Sequence, residues 1–156
     1  MTRKRVWRYY CEHCKKSGGS AYHLREHEKH CTGNPERECR VCQMDRADVD
    51  RGEGEQRPMA ELLAVLPEPK ALWWDPGSKL YRNYGQYEKW KAEQLADAME
   101  RLRELTQNCP ACIFAALRQK GFHTSEAGFD YKAEMDEIWK EIRFCNAQAE
   151  YPSYHG

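Results

Sequence analysis

The chain has 156 residues, room for one ordinary domain or two small ones, and its 25 Lys and Arg balance 25 Asp and Glu, so no net charge favours one class of charged partner. Leu, Ile, Val and Phe together supply only 21 residues, too few for a large apolar core, and the longest apolar run, Cys112 to Leu117, is far too short to span a bilayer. Fourteen Trp and Tyr and eight Cys remain to stabilise the fold, the Cys through metal sites that can each contribute about 10–16 kcal/mol of apparent binding energy to folding.

The charge is unevenly placed. Residues 1–31 hold eight Lys or Arg against three Glu, a basic head on an acidic body. Met1 to Tyr10 is basic and aromatic and has no apolar segment of the kind found in secretory signals, so a soluble, cytoplasmic location is expected. In a reducing compartment, close Cys pairs are more often metal ligands than disulfides.

The first ligand-rich stretch runs from Cys11 to Cys31. Cys11 and Cys14 are spaced to form a knuckle, and His27 and Cys31, four residues apart on an expected helix, share a face that can complete a tetrahedral zinc site. His23 and His30 are then spare, although spacing alone leaves His30 open as a rival to Cys31. This stretch resembles the C2H2 zinc finger family in its CCHC form, with Tyr9 two residues before the first Cys, Leu24 three before the His, and Thr32-Gly33-Asn34-Pro35 like a shortened finger linker. The resemblance covers about the first 30 residues and implies a ββα-like unit. It departs at Gly18, where the family has a core aromatic, so Trp7 or Tyr22 is expected to fill that space. Carried over by position, the family's base-contacting residues fall on Ser20, His23 and Glu26. Arg3, Lys4, Arg5, Arg8, Lys15 and Lys16 could contact phosphate, or could simply form a solvated basic terminus. A lone finger reads only about three base pairs, so a structural staple is the safer expectation than a DNA reader.

Past the linker lies a second knuckle, Cys39 to Cys42, and then a charged segment, Asp45 to Arg57, that reads as a solvated loop. A short helix is expected over Pro58–Leu66 and a long one over Gln86–Gln107, where Leu95, Ala98, Met99, Leu102 and Leu105 recur at helical spacing. Between them Ala71 to Tyr84 is irregular and aromatic, with a turn at Asp75-Pro-Gly77. Pro110 opens another helix that Gly121 ends, and a last helix over Asp130–Ala149 places Tyr131, Met135, Ile138, Ile142 and Cys145 on one face. Tyr151 to Gly156 reads as a loose tail. No alternation supports a sheet beyond a small hairpin in the finger.

Cys39 and Cys42 can meet Cys109 and Cys112 if the 66 intervening residues make a helical excursion that returns to its origin. The second pair sits at a helix start, where the dipole favours thiolate. Two alternatives stay open: a thioredoxin-like redox pair at Cys109 and Cys112, and a site drawing Cys31 together with Cys39 and Cys42. Cys145 reads as a buried small residue. Trp73, Trp74, Tyr81, Tyr84, Tyr87 and Trp90 could form a binding surface, with Trp73 and Trp74 the protein-contact candidates, but in a chain short of Leu and Ile they more often fill a core.

The expected fold is therefore mostly α with small zinc-bound elements: a finger unit over residues 1–34 and a helical, zinc-clasped domain over 35–156, with two zinc ions. Both sites are saturated by protein ligands, so no enzyme activity is expected. The whole arrangement is similar to small zinc-motif proteins of tailed phages and prophages. That resemblance implies a virion or assembly component in the host cytoplasm or the particle, with a protein partner, or a regulator that binds nucleic acid; no membrane association is expected.

Overall fold

The structure, a computed structural model, describes residues 7–45, 56–70, 74–81 and 83–149, with no side-chain description for residues 44, 45, 74, 75 and 144–149. Over these residues the chain is mostly α-helix, with two very short hairpins. Most of the expected charged loop and the C-terminal tail lie outside the described residues, as does the Cys145 side chain.

At the N-terminal end, β1 (Tyr9–Tyr10) pairs antiparallel with β2 (Ser17–Gly18), Tyr9 opposite Gly18 and Tyr10 opposite Ser17. Helix α1 (Ala21–His30) follows. Ser20 starts it: its Oγ accepts from the His23 amide at 3.4 Å, satisfying one of the donors a helix leaves free in its first turn. The core of this unit is minimal, Leu24 packed with Cys11, Cys14 and Cys31. The expectation that Trp7 or Tyr22 fills the space beside Gly18 is overturned, since the two rings are 85% and 63% exposed. Tyr22 stands two residues from Leu24, about 200° around the helix, and so faces away from the finger's interior.

The helical body begins with α2 (Arg40–Asp45) and α3 (Met59–Val65), the latter entered through Pro58. The long helix forms as α4 (Tyr84–Trp90), one π-helical turn (Lys91–Leu95) and α5 (Ala96–Thr106). Leu95, Ala98, Met99 and Leu102 are buried along it, and Leu105 packs partly buried against the same core. A second hairpin, β3 (Trp74–Asp75) with β4 (Leu80–Tyr81), corrects the expectation of no sheet outside the finger. Its strands are two residues each, too short to show any alternation in sequence.

Helix α5 ends in two successive left-handed residues, Gln107 (φ 51°) and Asn108 (φ 58°), whose amides return to the Glu104 and Arg103 carbonyls. This tight reversal delivers Cys109 to the start of α6 (Pro110–Lys120). Gly121 closes α6 at φ 91°, with the Phe122 amide reaching back to the Leu117 carbonyl at 2.9 Å. Helix α6 is the centre of the body: Ile113, Ala115, Ala116 and Leu117 are fully buried, with α3, α5 and α7 (Tyr131–Ala149) packed around it. Arg103 of α5 holds Glu134 of α7 through two hydrogen bonds of 3.0 and 2.6 Å. Aromatic rings extend the core where aliphatics are scarce: Tyr87 and Trp90 are buried, Trp90 stacks on Phe122 at 6.1 Å, and Phe114 stacks on Tyr131 at 4.6 Å. No helix among the described residues is long and apolar enough to cross a membrane.

Two stability measurements follow from this packing. Leu102→Ala, at a fully buried α5 position, is expected to lower the unfolding free energy by about 2–5 kcal/mol in a denaturant titration. Gln107→Gly removes a side chain from a left-handed position and is expected to raise it by about 1 kcal/mol.

Candidate metal centres

The finger group is assembled by a knuckle and a helix end. The Cys11 amide donates to the Lys16 carbonyl at 2.9 Å and the Lys16 amide to the Cys14 carbonyl, folding the two thiols inward. His27 lies in the last turn of α1 and Cys31 caps it, its amide donating to the Glu28 carbonyl at 3.2 Å. The ligand atoms of Cys11, Cys14, His27 and Cys31 all lie within 4.8 Å of one another, with Cys14 Sγ and His27 Nε2 at 3.2 Å. The fourth member of this group is therefore Cys31. His30 instead directs Nδ1 to the Glu38 carbonyl at 3.0 Å, and His23 stands edge-on to Tyr22. Gly33 is required behind the knuckle, because a Cβ there would come within 2.5 Å of the His13 carbonyl oxygen.

Hydrogen bonds divide the thiols of this group. Burial pushes Cys14 up, but the Lys16 amide, His27 and the neighbouring thiols outweigh it and bring Cys14 down to about 6. Burial pushes Cys31 up to about 11 against a hydrogen bond from the Gly33 amide. The surroundings of Cys14 thus favour its thiolate, the state a metal requires.

The second group joins two helix starts. Cys39 immediately precedes α2 and Cys42 lies in its first turn; Cys109 precedes α6 and Cys112 lies in its first turn. The Gln43 amide bonds the Cys39 carbonyl at 3.0 Å, and the Cys112 and Ile113 amides both bond the Cys109 carbonyl at 3.1 Å, so each pair is held by its own helix. The four sulfurs converge within 4.8 Å, with Cys39–Cys109 and Cys42–Cys112 both at 3.7 Å. A tetrahedron with metal–sulfur distances of about 2.3 Å has edges of about 3.8 Å, whereas a disulfide would need about 2.05 Å. All seven described cysteines are free of disulfides. Mutual hydrogen bonding holds Cys39 well below the ordinary thiol range, led by Cys109, and pushes Cys42 and Cys112 above it. Each of the two groups could hold one metal ion, and Cys31 belongs with the finger and not with Cys39 and Cys42.

Two residues that shape this second group carry no mark in the sequence. Gln56 accepts from the Cys39 amide and donates to the Arg37 carbonyl, both at 2.6 Å, fixing the approach to the knuckle. Arg37 is itself buried, its Nη1 donating to the Ala111 carbonyl at 3.4 Å and lying 3.9 Å from Cys112 Sγ.

The remaining site candidates are dispersed. Lys15, Lys16 and His23 are exposed on the finger. Ser20 is engaged as the helix cap and Glu26 is paired with Lys29 at 2.7 Å. Arg3, Lys4, Arg5 and Trp73 lie outside the described residues, and Trp74 is placed in β3 without its side chain. No family model, curated protein or solved structure matches the chain.

Native mass spectrometry with elemental analysis is expected to give two metal ions per chain, falling to one in Cys109→Ser and to one in Cys11→Ser. Retention of both ions by Cys109→Ser would show that the four sulfurs do not form a single site.

Proposed function

We propose that the chain is a non-enzymatic, zinc-stabilised binding module. The observation that carries this reading is that each cluster converges four protein ligands, three thiols with one imidazole in the finger and four thiols in the body. Such nitrogen and sulfur donor sets suit zinc, and four protein ligands leave no coordination position for water or substrate. Thiol redox chemistry at Cys109 and Cys112 is disfavoured by their convergence with Cys39 and Cys42.

The first reading of the partner is a protein. Trp7, Tyr9, Tyr10 and Tyr22 are exposed on the finger, and Trp and Tyr dominate the energetics of protein interfaces. Trp73 and Trp74 are proposed as further contacts on sequence grounds. The resemblance to small zinc-motif phage proteins, carried by the finger and the Cys39 and Cys109 pairs, would make that partner a component of a phage particle or of its assembly.

A second reading, nucleic acid, draws on Arg8, Lys15, Lys16 and Arg25, which are exposed and whose side chains have no hydrogen-bond or ion-pair partner among the described residues. With Ser20 and Glu26 engaged within the finger, these cations would meet phosphate more readily than base edges. Fluorescence anisotropy of the zinc-loaded chain with labelled single- and double-stranded DNA separates the readings. Nucleic-acid binding through four such cations is expected to weaken about 100-fold between 50 and 200 mM salt, and Lys15→Ala/Lys16→Ala is expected to bind more weakly at 50 mM with a salt dependence of only about 10-fold. No binding at 50 mM salt removes this reading. The protein reading expects a co-purifying partner to be lost on Trp73→Ala/Trp74→Ala or Tyr9→Ala/Tyr10→Ala, and an intact complex after both double changes removes it.

A further inference from the structure

We infer that Arg37 is the built-in counter-cation of the body cluster, which holds one divalent metal ion as a tetrathiolate through Cys39, Cys42, Cys109 and Cys112. The inference rests on the zinc reading above and adds to it the charge state of the site and the residue that tunes it.

Arg37 is only 6% exposed, and a guanidinium stays protonated in proteins. No carboxylate pairs with it among the described residues. Its Nη1 meets one carbonyl, at Ala111, and one sulfur, at Cys112, while its Nε is buried with no hydrogen-bond partner among the described residues. An isolated buried charge is strongly unfavourable unless an opposite charge lies against it. The sulfur cluster is the group in contact that can supply one.

The charge count then separates the chemistries open to four converging thiols. Four protonated thiols are neutral, and so is a Cys109–Cys112 disulfide beside two thiols; either leaves Arg37 uncompensated. Four thiolates around a divalent cation carry a net charge of minus two, which Arg37 reduces to minus one. The remaining charge faces the N-terminus of α6, where the helix dipole is positive. Gln56, bonded to both the Arg37 carbonyl and the Cys39 amide, fixes the guanidinium-bearing segment against the ligand-bearing one.

A cation beside Cys112 Sγ also lowers the electron density on that sulfur. Metal release by electrophiles begins with attack by a ligating sulfur, so Arg37 should slow it, and removal of such an outer partner typically costs 10–100-fold in metal affinity.

The test uses the full chain loaded with zinc, wild type against Arg37→Met and Arg37→Lys, with Cys11→Ser/His27→Ala backgrounds to isolate the body site. Affinity is read by competition with a chromophoric chelator, and reactivity by the rate of zinc release on adding N-ethylmaleimide. Arg37→Met is expected to bind the body zinc about 10–100-fold more weakly and to release it faster, with the finger site unchanged in the otherwise wild-type chain. Arg37→Lys keeps the charge but loses the planar donor fork, so an intermediate release rate is expected; it also decides the matter if Arg37→Met does not fold. Wild-type affinity and release in the variants, with two ions bound, overturns this inference alone. A wild-type body site that takes up no zinc overturns it together with the zinc reading.

Discussion

Closure of a 70-residue excursion at four sulfur atoms is the constraint on which the helical body depends. Loop-closure entropy grows only slowly with length, so a long excursion is little worse than a short one. A structural metal contributes about 10–16 kcal/mol of apparent binding energy in small zinc domains, well above the cost of fixing such a loop. Helices α3, α4 and α5 all lie within the closed segment, and α6 begins on the closing pair itself. The left-handed residues Gln107 and Asn108 fit this logic: an unfavourable local backbone is tolerated because it turns the chain directly from α5 into the second knuckle.

The same constraint ties the finger to the body. Cys31 closes the finger cluster, and six positions later Arg37 abuts the body cluster. The intervening turn is hydrogen-bonded at both sides: Asn34 Nδ2 donates to the Glu28 carbonyl of α1, while Gln119 of α6 donates to the Thr32 and Asn34 carbonyls. Arg118 adds a bond to Thr32 Oγ1. A segment bonded in this way is more than a tether: it fixes the end of the finger against α6.

What was legible in the sequence was whatever a local rule writes. Pro58, Pro110 and Gly121 mark helix ends because ring closure or a left-handed backbone is needed at those places, and the structure puts the ends there. The two converging groups of Cys and His were legible because a knuckle and a helix face dictate spacing. Arg37 was not, since a buried arginine looks like any other until Cys112, 75 residues away, is brought beside it. The hairpin at Trp74–Tyr81 was hidden by the brevity of its strands, and the π turn by side chains that suit an ordinary helix equally well. Within the aromatic segment, Tyr87 and Trp90 are core while Tyr81 and Tyr84 are exposed. Neither composition nor a regular helical spacing to Leu95 separates them, since Tyr84 lies eleven residues from Leu95, on its face of an ideal helix, and is exposed.

The misplaced aromatic of the finger leaves a gap in apolar burial that a bound metal would offset. Where the finger family has a core aromatic, this chain has Gly18, and the ring expected to replace it does not do so. The pairing of Tyr9 with Gly18 leaves no cross-strand side chain over the tyrosine ring, which is 45% exposed. Leu24 alone, with three sulfurs, fills the interior. A unit with so little apolar burial would not hold its shape by the hydrophobic effect, because ordering each residue costs about 1–2 kcal/mol of backbone entropy. Four ligands on one ion can carry that cost, and the aromatic side chains are then released from the interior. A metal in the finger would therefore do two things at once: it would replace a core, and it would leave Trp7, Tyr9, Tyr10 and Tyr22 free to stand at the surface, where they are exposed.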